Sequence, residues 1–106
     1  MSRWKLTTEV ERKILKLFSS ELAKLTDKSK FDSLLSLLLS PNEKIMLAKR
    51  LAAFVMLEKE TPNSDIAKGL HLTRVTITKL KLSYLLAKER KQTVVNLIKS
   101  LTNRVY

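Results

Sequence analysis

The chain has 106 residues, 44% of them hydrophobic, with one Gly, two Pro and no Cys. That length suits one domain, and the composition argues against disorder, Gly-rich phosphate loops, disulfide frameworks and thiolate metal sites. Lys and Arg number 21 against 10 Asp and Glu, a formal net charge of +11, so the expected partner is a polyanion. Leu and Lys are the commonest residues and both favour helix, while Gly and Pro are scarce, which predicts an all-α fold. His71 is the only histidine, which removes most metal and triad chemistry. The N-terminal MSRWKLTTEVERK is too polar for a secretory signal and no apolar run approaches a membrane span. A soluble cytoplasmic protein is expected, without a membrane partner.

Val10, Ile14, Leu17, Phe18, Leu22 and Leu25 repeat at helical spacing. They predict an amphipathic helix from about Thr8 to Leu25, with Thr7 or Thr8 as N-cap. Trp4 and Leu6 precede it, and Trp4 reads as a packing anchor. A second helix is predicted from about Lys28 to Leu39, with Phe31, Leu34, Leu35 and Leu38 on a face that Leu37 and Leu39 widen. Pro41 disfavours helical backbone at Ser40 and ends it. Ser40-Pro41-Asn42-Glu43 then starts a third helix, about Pro41 to Glu58. Ser40 can cap the N3 amide, Glu43 can reach back to the N-cap amide, and Pro41 at N1 loses no donor. Seven consecutive apolar residues, 51–57, wrap most of this helix and require burial on nearly all sides. So short a chain has few helices to supply that burial, so an intertwined homodimer is expected, with a compact monomer as the alternative.

Residues 58–62 form a polar break, and Thr61 or Asn63 can cap a short helix from about Ser64 to Leu70. Ile66, Ala67 and Leu70 make one inward stripe, Leu72 sits in the connection, and Val75, Ile77 and Leu80 make a second. Ala67 is small enough for two crossing helices to approach closely. Thr73 is placed to cap the next helix from Arg74. The stretch 63–82 therefore reads as a helix-turn-helix, whose second helix enters the DNA major groove. Charge follows it: residues 1–60 carry a net of +4 and residues 61–106 a net of +7, with no acidic residue from Ile66 to Lys88. Phosphate binding requires such a localised positive field.

A recognition helix entering by its N-terminal end presents its first turn to the bases. Thr73, Arg74, Val75 and Thr78 are the expected base-edge contacts, with Arg74 bidentate to guanine and Val75 against a thymine methyl. Ser64, Lys68 and Thr76 are expected at phosphates, while Lys79 and Lys81 add electrostatic attraction. Beyond Leu82, Tyr84, Leu85 and Leu86 precede the polar run 88–92, and Val94, Val95, Leu97, Ile98 and Leu101 restart an apolar pattern. Without Gly or Pro there, both a break near 88–93 and one long helix fit.

With Leu-Ser-Pro-Asn-Glu-Lys opening the third helix and Val-Thr-Ile-Thr-Lys in the recognition helix, the chain resembles the tryptophan repressor family, best from about Leu34 to Ser83. The resemblance implies a six-helix, intertwined homodimer, with a dimer core over about 8–58 and 84–103, whose two helix-turn-helix units enter successive major grooves of a palindromic operator. It also implies a tryptophan corepressor held between the third and recognition helices. Ser40 stands where a Thr helps hold the ligand's amino end, Arg50 matches the Arg that stacks on the indole, and Ser83 matches a residue near the amino group. Lys79 replaces an Arg that stacks on the opposite indole face, and Leu80 replaces a Gly that keeps the indole slot open. Lysine keeps the charge but lacks the flat guanidinium, and a leucine side chain projects toward the slot. A repressor that needs no tryptophan is expected.

Other classes fit less well. An enzyme lacks an acid–base constellation, since Glu58 and Glu60 are two apart and do not share a helical face. A helix-turn-helix adaptor within a larger machine, and a helical interaction protein with an incidental basic face, are the remaining alternatives.

Overall fold

A computed structural model describes residues 7–105, and Trp4 and Leu6 lie outside them. Six helices follow one another, with no strand among the described residues: α1 Thr8–Leu22, α2 Lys28–Leu38, α3 Pro41–Glu58, α4 Asn63–Leu70, α5 Arg74–Glu89 and α6 Thr93–Val105. The chain divides between Ser40 and Pro41 into two compact units.

In the first unit, Thr7 caps α1 as expected, its hydroxyl accepting from the Val10 amide at 3.2 Å. The helix stops at Leu22 rather than Leu25. The amides of Lys24 and Leu25 bond back three residues, to Glu21 and Leu22, in a tighter turn that leaves the α-helical path. Asp27 caps α2 through a 2.9 Å bond from the Ser29 amide. Leu39 is already extended (φ −110°, ψ 132°), so α2 ends one residue earlier than expected. No residue of α1 or α2 is buried, and Ile14, Leu17 and Leu37 are 52%, 57% and 83% exposed.

The second unit is built around α3, whose faces serve different partners. Val55 packs with Tyr84, Ala87, Val95 and Ile98 of α5 and α6, supported by Leu51, Phe54, Leu57 and Leu101. Ala53 faces the other way, into a cluster with Ile66 of α4 and Ile77 of α5. A further strip, Ala48, Leu51, Ala52, Val55 and Met56, lines an open apolar groove of about 370 Å³ with Leu101 and Val105. The run 51–57 thus contains no exposed residue, yet the groove and the exposed Ile45, Met46 and Leu47 leave α3 only partly enclosed within one chain.

Three helix ends in this unit close on left-handed residues that are not glycine: Glu60 (φ 60°), His71 (φ 54°) and Lys91 (φ 52°). After α3, the Thr61 amide reaches the Met56 carbonyl at 3.0 Å, and after α5 the Gln92 amide reaches that of Ala87 at 3.0 Å. These six-to-one bonds occupy carbonyls that a helix C-terminus otherwise leaves unpaired. The break after Glu89 thus resolves the two readings of the C-terminal segment in favour of separate helices. At α4 neither Thr61 nor Asn63 is the cap: Pro62 is, without a side-chain bond. Its carbonyl accepts from the Asp65 and Ile66 amides, and helical geometry already includes Asn63.

Candidate nucleic-acid interface

The stretch expected to form the helix-turn-helix comprises α4, the turn 71–73 and α5. Ile66 and Ile77 are fully buried against Ala53 of α3, with Met56, Leu57, Ala67, Leu70, Leu72 and Leu80 packed around them. Each such buried aliphatic contributes roughly 1.5–3 kcal/mol, so apolar burial is what sets the angle between the two helices. His71 turns the corner in left-handed geometry, and the Leu72 amide bonds the Ala67 carbonyl at 3.0 Å. His tolerates that region better than β-branched residues, which explains why the turn forms without glycine.

Glu58, at the end of α3, joins that helix to α5. Tyr84 donates to its Oε1 at 2.6 Å and Lys88 Nζ lies 3.0 Å from the same oxygen. Lys88 also sits 5.0 Å from the Tyr84 ring centre, while the Phe54 ring stacks obliquely at 5.4 Å. The Tyr84 hydrogen bond and then the Lys88 charge hold the Glu58 carboxyl below the usual carboxylate range. Burial first, and the bond to Glu58 second, push the Tyr84 phenol well above its ordinary value. This cluster ties the C-terminal half of α5 to the end of α3, while Ile77 holds the N-terminal half against Ala53 and Ile66.

The α5 surface is sorted by helical spacing. Ile77, Tyr84 and Ala87 are buried, and Leu80 is half-buried in the cluster with Ala53 and Ile66. Arg74, Val75, Thr78, Lys79, Lys81 and Leu82 are exposed. Val75, expected both in the inward stripe and at a base edge, is 63% exposed and belongs outside; at two residues before Ile77 it cannot share that buried face. Thr73 caps α5, its hydroxyl accepting from the Thr76 amide at 3.2 Å and lying 2.9 Å from the Thr76 hydroxyl. Thr78 donates to the Arg74 carbonyl at 2.9 Å. On α4, Lys68 is exposed and Ser64 half-buried.

The corepressor-like positions differ in burial. Arg50, Lys79 and Ser83 are exposed, Leu80 packs inward, and Ser40 is an exposed residue of the first unit. Sequence reasoning missed the Glu58–Tyr84–Lys88 cluster. Tyr84 and Lys88 stand four apart on α5, but nothing local announces that Glu58, 26 residues from Tyr84, meets them.

No curated protein and no solved structure matches the chain. The family model described as Trp repressor protein matches residues 13–96, most of the chain and more than the segment that carries the resemblance in the sequence. With six helices in this order and α4–α5 mounted on α3, the chain belongs to the Trp repressor family of DNA-binding transcription regulators.

Proposed function

We propose that this protein is a sequence-specific repressor that binds a palindromic operator as a homodimer and does so without tryptophan. It acts on double-stranded DNA in the cytoplasm as one domain of residues 1–106, with the helix-turn-helix at 63–82 carried by a dimer core of about 8–58 and 84–103. The observation that carries the reading is the outward face of α5, where Arg74, Val75, Thr78 and Lys79 stand exposed on a helix whose other face is pinned to α3. Arg74 is the guanine reader and Val75 meets a thymine methyl. Ser64, Lys68 and Thr76 hold phosphates, and Lys79 and Lys81 supply the field that draws DNA in. Dimer formation is supported by apolar surface that one chain leaves uncovered: the faces of α1 and α2, and the groove along α3 and α6.

Independence from tryptophan is supported by Leu80, whose side chain packs against the cluster of Ala53, Ile66 and Ile77. A residue filling that space needs no ligand to brace the recognition helix. The decisive experiment is selection of duplexes from a random pool by the purified protein, with and without L-tryptophan. Enrichment of one palindrome, equal in both arms, is the expected result. Enrichment only with tryptophan would overturn the effector-free reading, and enrichment of nothing would overturn the operator.

A further inference from the structure

On the exposed face of α5 the threonine hydroxyls are engaged in hydrogen bonds within the helix itself. Thr73 and Thr76 share a hydrogen bond and cap the helix, and the Thr78 hydroxyl proton is committed to the Arg74 carbonyl. What Thr78 leaves for a partner is its methyl group and an acceptor oxygen with no proton to donate. Val75 stands three residues earlier, 63% exposed, and Leu82 continues the same stripe at 60%. Spacings of three, four and seven place these side chains on one face, opposite Ile77 and Tyr84. Lys79 lies on one flank of the stripe and Arg74 on the other. The N-terminal half of α5 is therefore an apolar strip edged by two cations, in a protein whose net charge is +11.

Water is a poor partner for such a strip, whereas the major groove offers one complementary apolar group, the C5-methyl of thymine. We propose that Val75 and Thr78 are specificity residues that read adjacent thymine methyls through van der Waals contact, Thr78 by its methyl and not its hydroxyl. This rests on α5 being the DNA-reading helix. It commits the half-site to thymines beside whatever base Arg74 reads, and it makes the hydroxyl of Thr78 a device that sets the rotamer and aims the methyl. Operator choice at these positions is then a matter of shape and desolvation, with no hydrogen bond donated to the bases by Thr78.

Deoxyuridine removes the thymine methyl and leaves all Watson–Crick groups, so it tests the idea without altering the protein. The full chain is titrated by fluorescence anisotropy against a duplex recovered from the random pool, with each dT replaced singly by dU. Loss of one buried methyl is expected to weaken binding about fourfold at one or two positions of each half-site. Val75→Ala should abolish the dT-over-dU preference at one of them. Thr78→Val should keep the preference at the other and Thr78→Ser should lose it. Equal binding of dT and dU duplexes at every position overturns the proposal while leaving the DNA-reading role intact. So does a Thr78→Ser protein that discriminates as the parent does. Failure to prefer any duplex over competitor DNA removes the reading role itself, and this inference with it.

Discussion

At the scale of single residues, the proposed interface assigns separable roles to two side chains. Arg74 has a planar fork suited to one base edge, while Lys68 offers a point charge suited to phosphate. Arg74→Ala is expected to cost about 1–3 kcal/mol on the operator and little on random DNA. Lys68→Ala should weaken both alike and shallow the salt dependence by about one unit. Anisotropy titrations over a range of salt concentrations check both, and equal loss on both DNAs for Arg74→Ala would reassign that residue to the backbone. Glu58 gives a prediction of a different kind. Its folded pKa lies below its unfolded value because Tyr84 and Lys88 stabilise the carboxylate. The stability it contributes is therefore present above the unfolded pKa and is lost as pH falls through the lower, folded one. Tyr84→Phe removes the first of those causes and should cost about 1–2 kcal/mol near neutrality. Thermal melts from pH 7 to pH 3 should show the variant losing less stability on acidification than the parent.

At the scale of elements, helix ends and helix contacts decide the geometry. Three ends close on Glu60, His71 and Lys91 in the left-handed region, each at a cost of about 1–2 kcal/mol relative to a residue without a Cβ. His71→Gly should raise the melting temperature, because relief of that cost, even after the entropy glycine adds to the unfolded chain, leaves about 0.5–1 kcal/mol. His71→Val should lower it. Both are exposed substitutions, so differential calorimetry reads the backbone term with little change in packing. Leu80 tests the other element-scale question. Truncation to Ala at a half-buried site should cost about 2 kcal/mol, the low end for leucine in a core. Isothermal titration of the parent protein with L-tryptophan should give no saturable heat, and micromolar binding would place the indole where Leu80 is argued to sit.

For the whole molecule, the unresolved physical tension is apolar surface. A 15-residue α1 with no buried residue has few means of staying helical alone in water, since isolated helices of that length are marginal. A second copy covering α1, α2 and the α3–α6 groove removes the tension. The expected outcome is a dimer by sedimentation equilibrium and a melting temperature that rises with protein concentration. Phe18→Asp and Ile14→Asp place charge on the α1 face and should lower both; a monomeric parent with concentration-independent melting would remove the dimer. Much of this architecture was legible beforehand. Caps such as Thr7 and Thr73, the Ser-Pro-Asn-Glu start and the apolar spacing within α3 to α5 are short-range signals, because they depend on neighbours one to four residues away. They determined the order of the first five helices, most of their limits and the placement of charge, and left open whether the C-terminal segment is one helix or two. The break at Lys91 was not legible, since a left-handed lysine has no local signature to distinguish it from helix. Nor was the Glu58–Tyr84–Lys88 cluster, which joins residues far apart in the chain, nor the outward turn of Val75. Only the tertiary structure decided which side of α5 faces α3 and where its threonine hydroxyls are spent, because burial and rotamer are settled by what packs against a helix and not by the helix itself.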